Sequence, residues 1–134
     1  MKVIIAGSRP PRALFTQAAL RYLSMFREAV EEATSESGFD ITEVVCGGAA
    51  GADQAGQLWA RRNGVVHTEK RFYVTNEEWL RSRGAGMARN IRMAEYADAL
   101  IAIWDGKSRG TKHMIDEMQD RGKPVYVKKI DFRS

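Results

Sequence analysis

Hydrophobic and polar positions alternate along the chain in a repeating order. Lys2-Val-Ile-Ile-Ala6 is a short β-branched apolar run closed by Gly7-Ser8-Arg9-Pro10-Pro11, the mark of a buried strand followed by a loop. From about Ala13 to Ser35, Leu14, Ala18, Tyr22, Phe26 and Val30 recur every four residues, with Leu20, Leu23 and Ala29 beside them. That spacing predicts a long amphipathic helix, ended at Ser37-Gly38. Ile41 to Cys46 predicts a second strand, which runs into Gly47-Gly48-Ala49-Ala50-Gly51-Ala52-Asp53 and a helix from about Ala50 to Asn63, with Gly64 as its stop. Val65-Val66-His67 is a candidate third strand. Lys70 to Arg83 is polar and interrupted by Phe72, Tyr73 and Trp79, a loop with room for one helical turn.

Met87 to Ala97 predicts a helix and Ala99-Leu-Ile-Ala-Ile-Trp104 a hydrophobic strand. Asp105-Gly106-Lys107-Ser108-Arg109-Gly110-Thr111 is a further glycine-containing loop ahead of a helix to Arg121. Gly122-Lys123-Pro124 turns the chain into a last strand, Val125 to Lys128. Strands alternating with helices imply right-handed crossovers. The expected fold is therefore a single Rossmann-like α/β domain over residues 1–134, with three layers and a mostly parallel sheet of about five strands covered by helices on both faces.

Composition narrows the classes. Hydrophobic residues make up 44% and charged residues 28% of 134, globular values that argue against disorder or a fibrous chain. No run approaches a membrane span, and the first apolar run is too short for a signal-peptide core. A cytoplasmic protein without a membrane partner is expected. Cys46 stands alone, and His67 and His113 have no companions at ligand spacing, so neither metal nor cofactor is predicted. The net charge is +4 and Arg outnumbers Lys two to one, which favours an anionic partner gripped by planar guanidinium groups. These cations are scattered among 17 acidic residues, not arrayed as a dense nucleic-acid stripe.

Three of the predicted loops, Gly7-Ser8-Arg9, Gly47 to Asp53 and Asp105 to Thr111, follow strands, and in a parallel sheet such loops lie at one edge where ligands bind. Glycine lets backbone approach an anion, and the unpaired N–H groups of a helix start attract phosphate. The same glycines also serve tight strand-to-helix turns in any α/β protein. Neither the Walker spacing nor Gly-x-Gly-x-x-Gly fits, which disfavours a P-loop NTPase or an ordinary NAD dehydrogenase.

Val3-Ile-Ile-Ala-Gly-Ser-Arg9, Cys46-Gly-Gly-Ala-Ala-Gly-Ala-Asp53, Arg89-Asn90 and Ala97 to Thr111 together resemble the SLOG superfamily, closest to its small YspA/YpsA-like bacterial and phage subgroup. Relatives include LOG-type phosphoribohydrolases, the DNA-processing protein A fold and sensors of NAD-derived nucleotides. The resemblance implies a Rossmann-like sheet that binds a nucleotide-like small molecule, and homo-oligomerisation. It aligns Arg89 with the catalytic Arg of the phosphoribohydrolases and Gly110-Thr111 with their Gly-Thr. Their catalytic Glu falls on Met114, Trp104-Asp105 replace Pro-Gly, the loop is two residues longer, and Ala50 stands where the subgroup carries a basic residue.

Arg89 is thus a candidate to fork a phosphate, or else a surface Arg paired with a carboxylate. Asn90 suits a base or ribose contact or a helix cap. Asp53 suits a ribose hydroxyl pair or the helix dipole. Trp104 suits base stacking or burial in the sheet, Ser8 and Arg9 suit phosphate, and Thr111 suits capping or phosphate. The expected ligand site comprises Gly7, Ser8, Arg9, Gly47, Gly48, Ala49, Gly51, Ala52, Asp53, Arg89, Asn90, Trp104, Asp105, Gly106, Ser108, Gly110 and Thr111. Three functions follow. The first is binding of a nucleotide, phosphoribosyl or NAD-derived ligand for sensing, sequestration or metabolism. The second is N-glycosidic cleavage of a nucleoside monophosphate or NAD derivative, with Arg89, Asp53, Asp116 and Glu117 as catalytic candidates. The third is single-stranded DNA binding. The methionines of the helices, Met25, Met87, Met93, Met114 and Met118, are expected to fill the core, and Leu14, Tyr22 and Phe26 of the first helix to offer an interface between copies.

Overall fold

A computed structural model describes residues 1–11, 16–48, 51–68, 71–81 and 84–133, with the backbone alone at Thr16 and Trp79. Five strands, β1 (Lys2–Gly7), β2 (Glu43–Val45), β3 (Val66–His67), β4 (Ala99–Trp104) and β5 (Val125–Lys129), form one sheet in the order β3-β2-β1-β4-β5. Every pairing is parallel. The helices are α1 (Thr16–Ser37), α2 (Ala52–Arg62), α3 (Asn76–Arg81), α4 (Ala85–Tyr96) and α5 (Arg109–Asp120). The expected α/β class, strand number and layering are borne out, and the sheet is parallel throughout.

The central strands carry the core because both faces are covered. Side chains alternate across a strand, so Val3 and Ile5 of β1 and Ala99, Ile101 and Ile103 of β4 enter one apolar cluster with Phe26, Ala29, Val30 and Ala33 of α1 and Ala52, Ala55 and Ala60 of α2. Ile4, Leu100 and Ala102 enter the opposite cluster with Met93 and Ala94 of α4 and Met114, Ile115 and Met118 of α5. Two helices thus cover each face. Lys123 donates its ammonium to the carbonyls of Ala94 and Ala97, each at 2.7 Å, closing the end of α4 that enters β4.

Several boundaries differ from expectation. α4 begins at Ala85 rather than Met87, and the helical turn allowed in the polar stretch is the six-residue helix α3. Phe72, expected in a loop, is buried and packs into the α4 and α5 cluster. The face of α1 is also corrected: Phe26 is fully buried and Tyr22 meets the Phe132 ring edge-on at 5.7 Å, whereas Leu20 and Leu23 are exposed. Phe26 and Tyr22 are therefore spent within the chain, and Leu14 lies outside the described residues. Among the methionines, Met93, Met114 and Met118 are buried but Met87 is exposed. No helix among the described residues is long and apolar enough to cross a membrane.

Candidate functional site

β1 lies between β2 and β4, so chain order reverses across the β1–β4 pair, and its carboxyl edge is the switch point where α/β sheets form ligand crevices. A cavity of 420 Å3 opens there. Gly7 and Arg9 come from the end of β1, Gly47 from the end of β2, Asp53 from α2, Arg89 and Asn90 from α4, and Ser108, Gly110 and Thr111 from the start of α5.

Gly7 makes this convergence possible. A Cβ there would lie 2.3 Å from the Ile103 carbonyl oxygen and 2.8 Å from the Ala52 Cβ. Only a residue without a side chain lets β1, β4 and the start of α2 meet. Ser8, buried behind it, donates its hydroxyl to Asp105 Oδ1 and accepts the Asp105 N–H, both at 3.0 Å. The same Oδ1 accepts the N–H groups of Lys107 and Ser108 at 2.8 Å. Burial pushes the Asp105 carboxyl up, but these hydrogen bonds outweigh it and hold it below the ordinary carboxylate value. Ser8 and Asp105 therefore lace the β1 and β4 loops together outside the cavity wall.

The polar floor is built around Gly47. Its N–H donates to Asp53 Oδ2 at 2.9 Å, and its carbonyl accepts from Arg89 Nη1 at 3.3 Å. A Cβ on Gly47 would come within 3.2 Å of both the Arg89 guanidinium and the Asp53 carboxylate. Arg89 Nε is buried with no hydrogen-bond partner among the described residues. Burial draws the Arg89 pKa below its ordinary value, Asp53 opposes that, and Arg9 and Arg92 add to the fall. Asn90, also buried, donates its amide to the Gly110 carbonyl at 3.2 Å and approaches His113 Nδ1 at 3.2 Å. Burial, reinforced by nearby Asp53, raises the Cys46 thiol well above its ordinary value, so it stays protonated and is a poor nucleophile.

Other expected site residues lie elsewhere. Gly48 faces the Tyr73 ring and Gly51 the Phe26 ring, both at positive φ, so they shape the turn into α2. Ala52 is buried beneath Gly7, and Ala49 lies outside the described residues. Trp104 donates its indole N–H to the Ser108 carbonyl at 3.0 Å and carries the Lys129 ammonium over its ring at 4.9 Å. Gly106 lies against the same ammonium. Asp116 is exposed and paired with Lys112 at 3.0 Å, while Glu117 bonds Arg121 and lies 3.3 Å from His113. Neither acid lines the cavity.

The wall residues missed from sequence are Ala6, Gly86, Met87, Met93 and Met114. A signal for Met114 existed, since it falls one turn after Gly110-Thr111 at the position the resemblance gives to an acid. Three thioethers among the lining residues make a soft, adaptable apolar contribution. Among the described residues no group of acids, histidines and cysteine is placed to hold a metal.

No family model matches the chain. In fold it resembles DNA processing protein A (DprA) from Streptococcus pneumoniae, with a TM-score of 0.53 at 18% identity, covering 94% of this chain and 49% of that one. The chain therefore spans about half the length of that protein, and the likeness is one of Rossmann-like fold. In sequence it is 40% identical over 86 residues to the Gene 61 protein of Mycobacterium phage D29, covering 61% of this chain and 67% of that relative. At that identity across two thirds of its relative, the chain belongs to the family of the phage Gene 61 protein.

Proposed function

We propose that the cavity binds a nucleotide or a nucleotide-derived ligand of phosphoribosyl or NAD-derived type, in keeping with the YspA/YpsA-like SLOG resemblance. The observation that carries this reading is Arg89, whose guanidinium is held at the Gly47 carbonyl with a buried Nε left without a partner among the described residues. A buried donor without a partner costs free energy that an anionic oxygen would recover. Arg9 and Arg92 near the same guanidinium add positive potential. The first turn of α5, with Ser108, Gly110 and Thr111 on the cavity wall, adds its N–H groups and dipole. On the same two helices, Met87, Met93 and Met114 offer the apolar contact a heterocyclic base needs. Asp53 is the acceptor on the wall for ribose hydroxyls.

Isothermal titration calorimetry of the native chain and Arg89→Ala against AMP, ADP-ribose and NAD tests the reading. The variant should lose roughly 1.5–3 kcal/mol of binding, the worth of a hydrogen bond to a charged group, with a circular dichroism spectrum that shows the fold intact. Equal affinity in both proteins removes Arg89 from the site. Silence across the panel, with oligonucleotide affinity that falls steeply with salt, replaces the reading by the single-stranded DNA alternative.

A further inference from the structure

Asn90 sits between the cavity and a polar relay that leads away from it. Its Nδ2 faces the Gly110 carbonyl, which only accepts, and its Oδ1 faces Arg89 Nη2 at 3.4 Å, which only donates. These two neighbours fix which way the amide points. The same Nδ2 lies 3.2 Å from His113 Nδ1, so that nitrogen must accept and carries no proton. The ring hydrogen is then on Nε2, which faces Glu117 Oε1 at 3.3 Å. Contacts alone thus assign the tautomer.

We propose that His113 is a positioning residue for the cavity: uncharged, it holds the Asn90 amide in the orientation that supports Arg89, and on taking up a proton it turns that amide over. A protonated ring presents N–H from both nitrogens, and Nδ1–H would face an NH2 group. The amide relieves the clash by rotating about its last bond, which puts Oδ1 toward His113. Nδ2 then faces the Arg89 guanidinium, donor against donor, and Oδ1 faces the Gly110 carbonyl, acceptor against acceptor. Two contacts at the cavity wall are lost together.

Charged groups near the ring include Glu117 on α5, itself bound to Arg121, Arg109 one turn before His113 on the same helix, and on α4 Arg89 behind Asn90 and Glu95 at the far side of Arg121, 3.8 Å away. Glu117 faces the Nε2 side of the ring and the Asn90 amide its Nδ1 side. The second contact is the coupling: whatever stabilises the amide in its present orientation must, by linkage, make His113 harder to protonate. A ligand anion held by Arg89 does that, so its affinity should fall with pH as the imidazole charges. This last step rests on the cavity being a ligand site.

The positioning role is tested without any ligand. In the isotope-labelled chain, the Asn90 side-chain amide and the His113 ring are followed by NMR from about pH 8 to about pH 5. The two should move with one midpoint, the amides of Asn63 and Asn76 should not share it, and the Asn90 signal should be flat in His113→Gln. An Asn90 amide that stays still while His113 titrates overturns the proposal, as does one that moves equally in His113→Gln. Should that variant not fold, the native titration decides alone.

The coupling to binding is read with AMP at the two ends of that range. The AMP phosphate itself titrates near pH 6, so the comparison is with His113→Gln, which shares that background. Affinity in the native chain should fall roughly fivefold further than in the variant, the effect of losing a hydrogen bond. Equal falls overturn the coupling. If AMP binds neither protein, the nucleotide reading fails for this probe and the amide titration still decides the role of His113.

Discussion

The carboxylate of Asp53, in the first turn of α2, reaches back six residues to accept the N–H of Gly47 at 2.9 Å. This bond turns a glycine loop into a fixed floor, because the other side of Gly47 is held by Arg89. Asp53 is 4% exposed, so water does not readily take its place. Its charge also supports the buried Arg89 guanidinium. Removing the side chain leaves a buried donor and a less compensated cation.

Asp53→Ala should therefore lower unfolding stability by about 1–3 kcal/mol, read as a shift of the urea midpoint at constant slope. Asp53→Asn keeps an acceptor for Gly47 and should lose less. A native midpoint in Asp53→Ala would show that the floor stands without this carboxylate.

Gly7 and Gly110 both line the cavity, yet they should respond oppositely to a methyl group. At Gly7 the new Cβ meets the Ile103 backbone oxygen at 2.3 Å, and no rotamer relieves that contact. Gly7→Ala should cost about 3 kcal/mol or more, at the upper end for overpacking. A Cβ at Gly110, inside α5, has nothing within 4 Å, and Gly110→Ala should be neutral or stabilise by up to about 1 kcal/mol. Thermal melts of the pair decide it, and a reversal would mean the strand ends are not as closely packed as described.

β1 and β4 were readable because their apolar runs are bounded by turn signals and buried on both sides, which leaves no competing period. The loops that end at the cavity were readable for the same reason, and Gly7, Gly47 and Gly110 do meet there. α4 was misplaced by two residues because Gly84-Ala-Gly86 has loop composition and nothing local shows that tertiary packing extends the helix. Phe72 was hidden in a polar stretch with no periodicity. The pairing of Asn90 with His113 depends on how α4 crosses α5, which residues 23 positions apart do not encode in any local pattern. The loops also hid a division of labour: Asp105 and Ser8 hold each other, while Arg89 and Asn90 face the cavity.

The Ser8–Asp105 lacing should make stability pH-dependent at the acid end. The Asp105 pKa is lowered in the folded chain, so its contribution is present above the unfolded carboxylate value of about 3.9 and is lost as pH falls through the folded value. Asp105→Ala should be less stable than the native chain near neutrality by about 1 kcal/mol. The gap should narrow as pH drops below about 4. Denaturant midpoints of both proteins across that range provide the measurement, and a gap that stays constant would place the stabilisation in something other than the ionised carboxylate.

The native chain should not hydrolyse AMP by the phosphoribohydrolase route. Breaking an N-glycosidic bond builds oxocarbenium character on the ribose, which a carboxylate aimed at that charge stabilises. Losing one such preorganised group costs roughly a hundred- to a thousandfold in rate. Met114, at the position the resemblance gives to the acid, lines the cavity, 2% exposed, and a thioether carries no charge. Asp116 faces Lys112 and Glu117 faces Arg121 and His113, so neither acid is turned toward the wall. Among the described residues Asp53 is the acid that lines the cavity, and its Oδ2 is engaged with Gly47. Incubating the chain with AMP and following free adenine by chromatography should show release no faster than in buffer. Turnover abolished by Asp53→Asn would make Asp53 a catalytic acid and the cavity an active site, and turnover abolished by Glu117→Gln would require α5 to rotate away from the packing described.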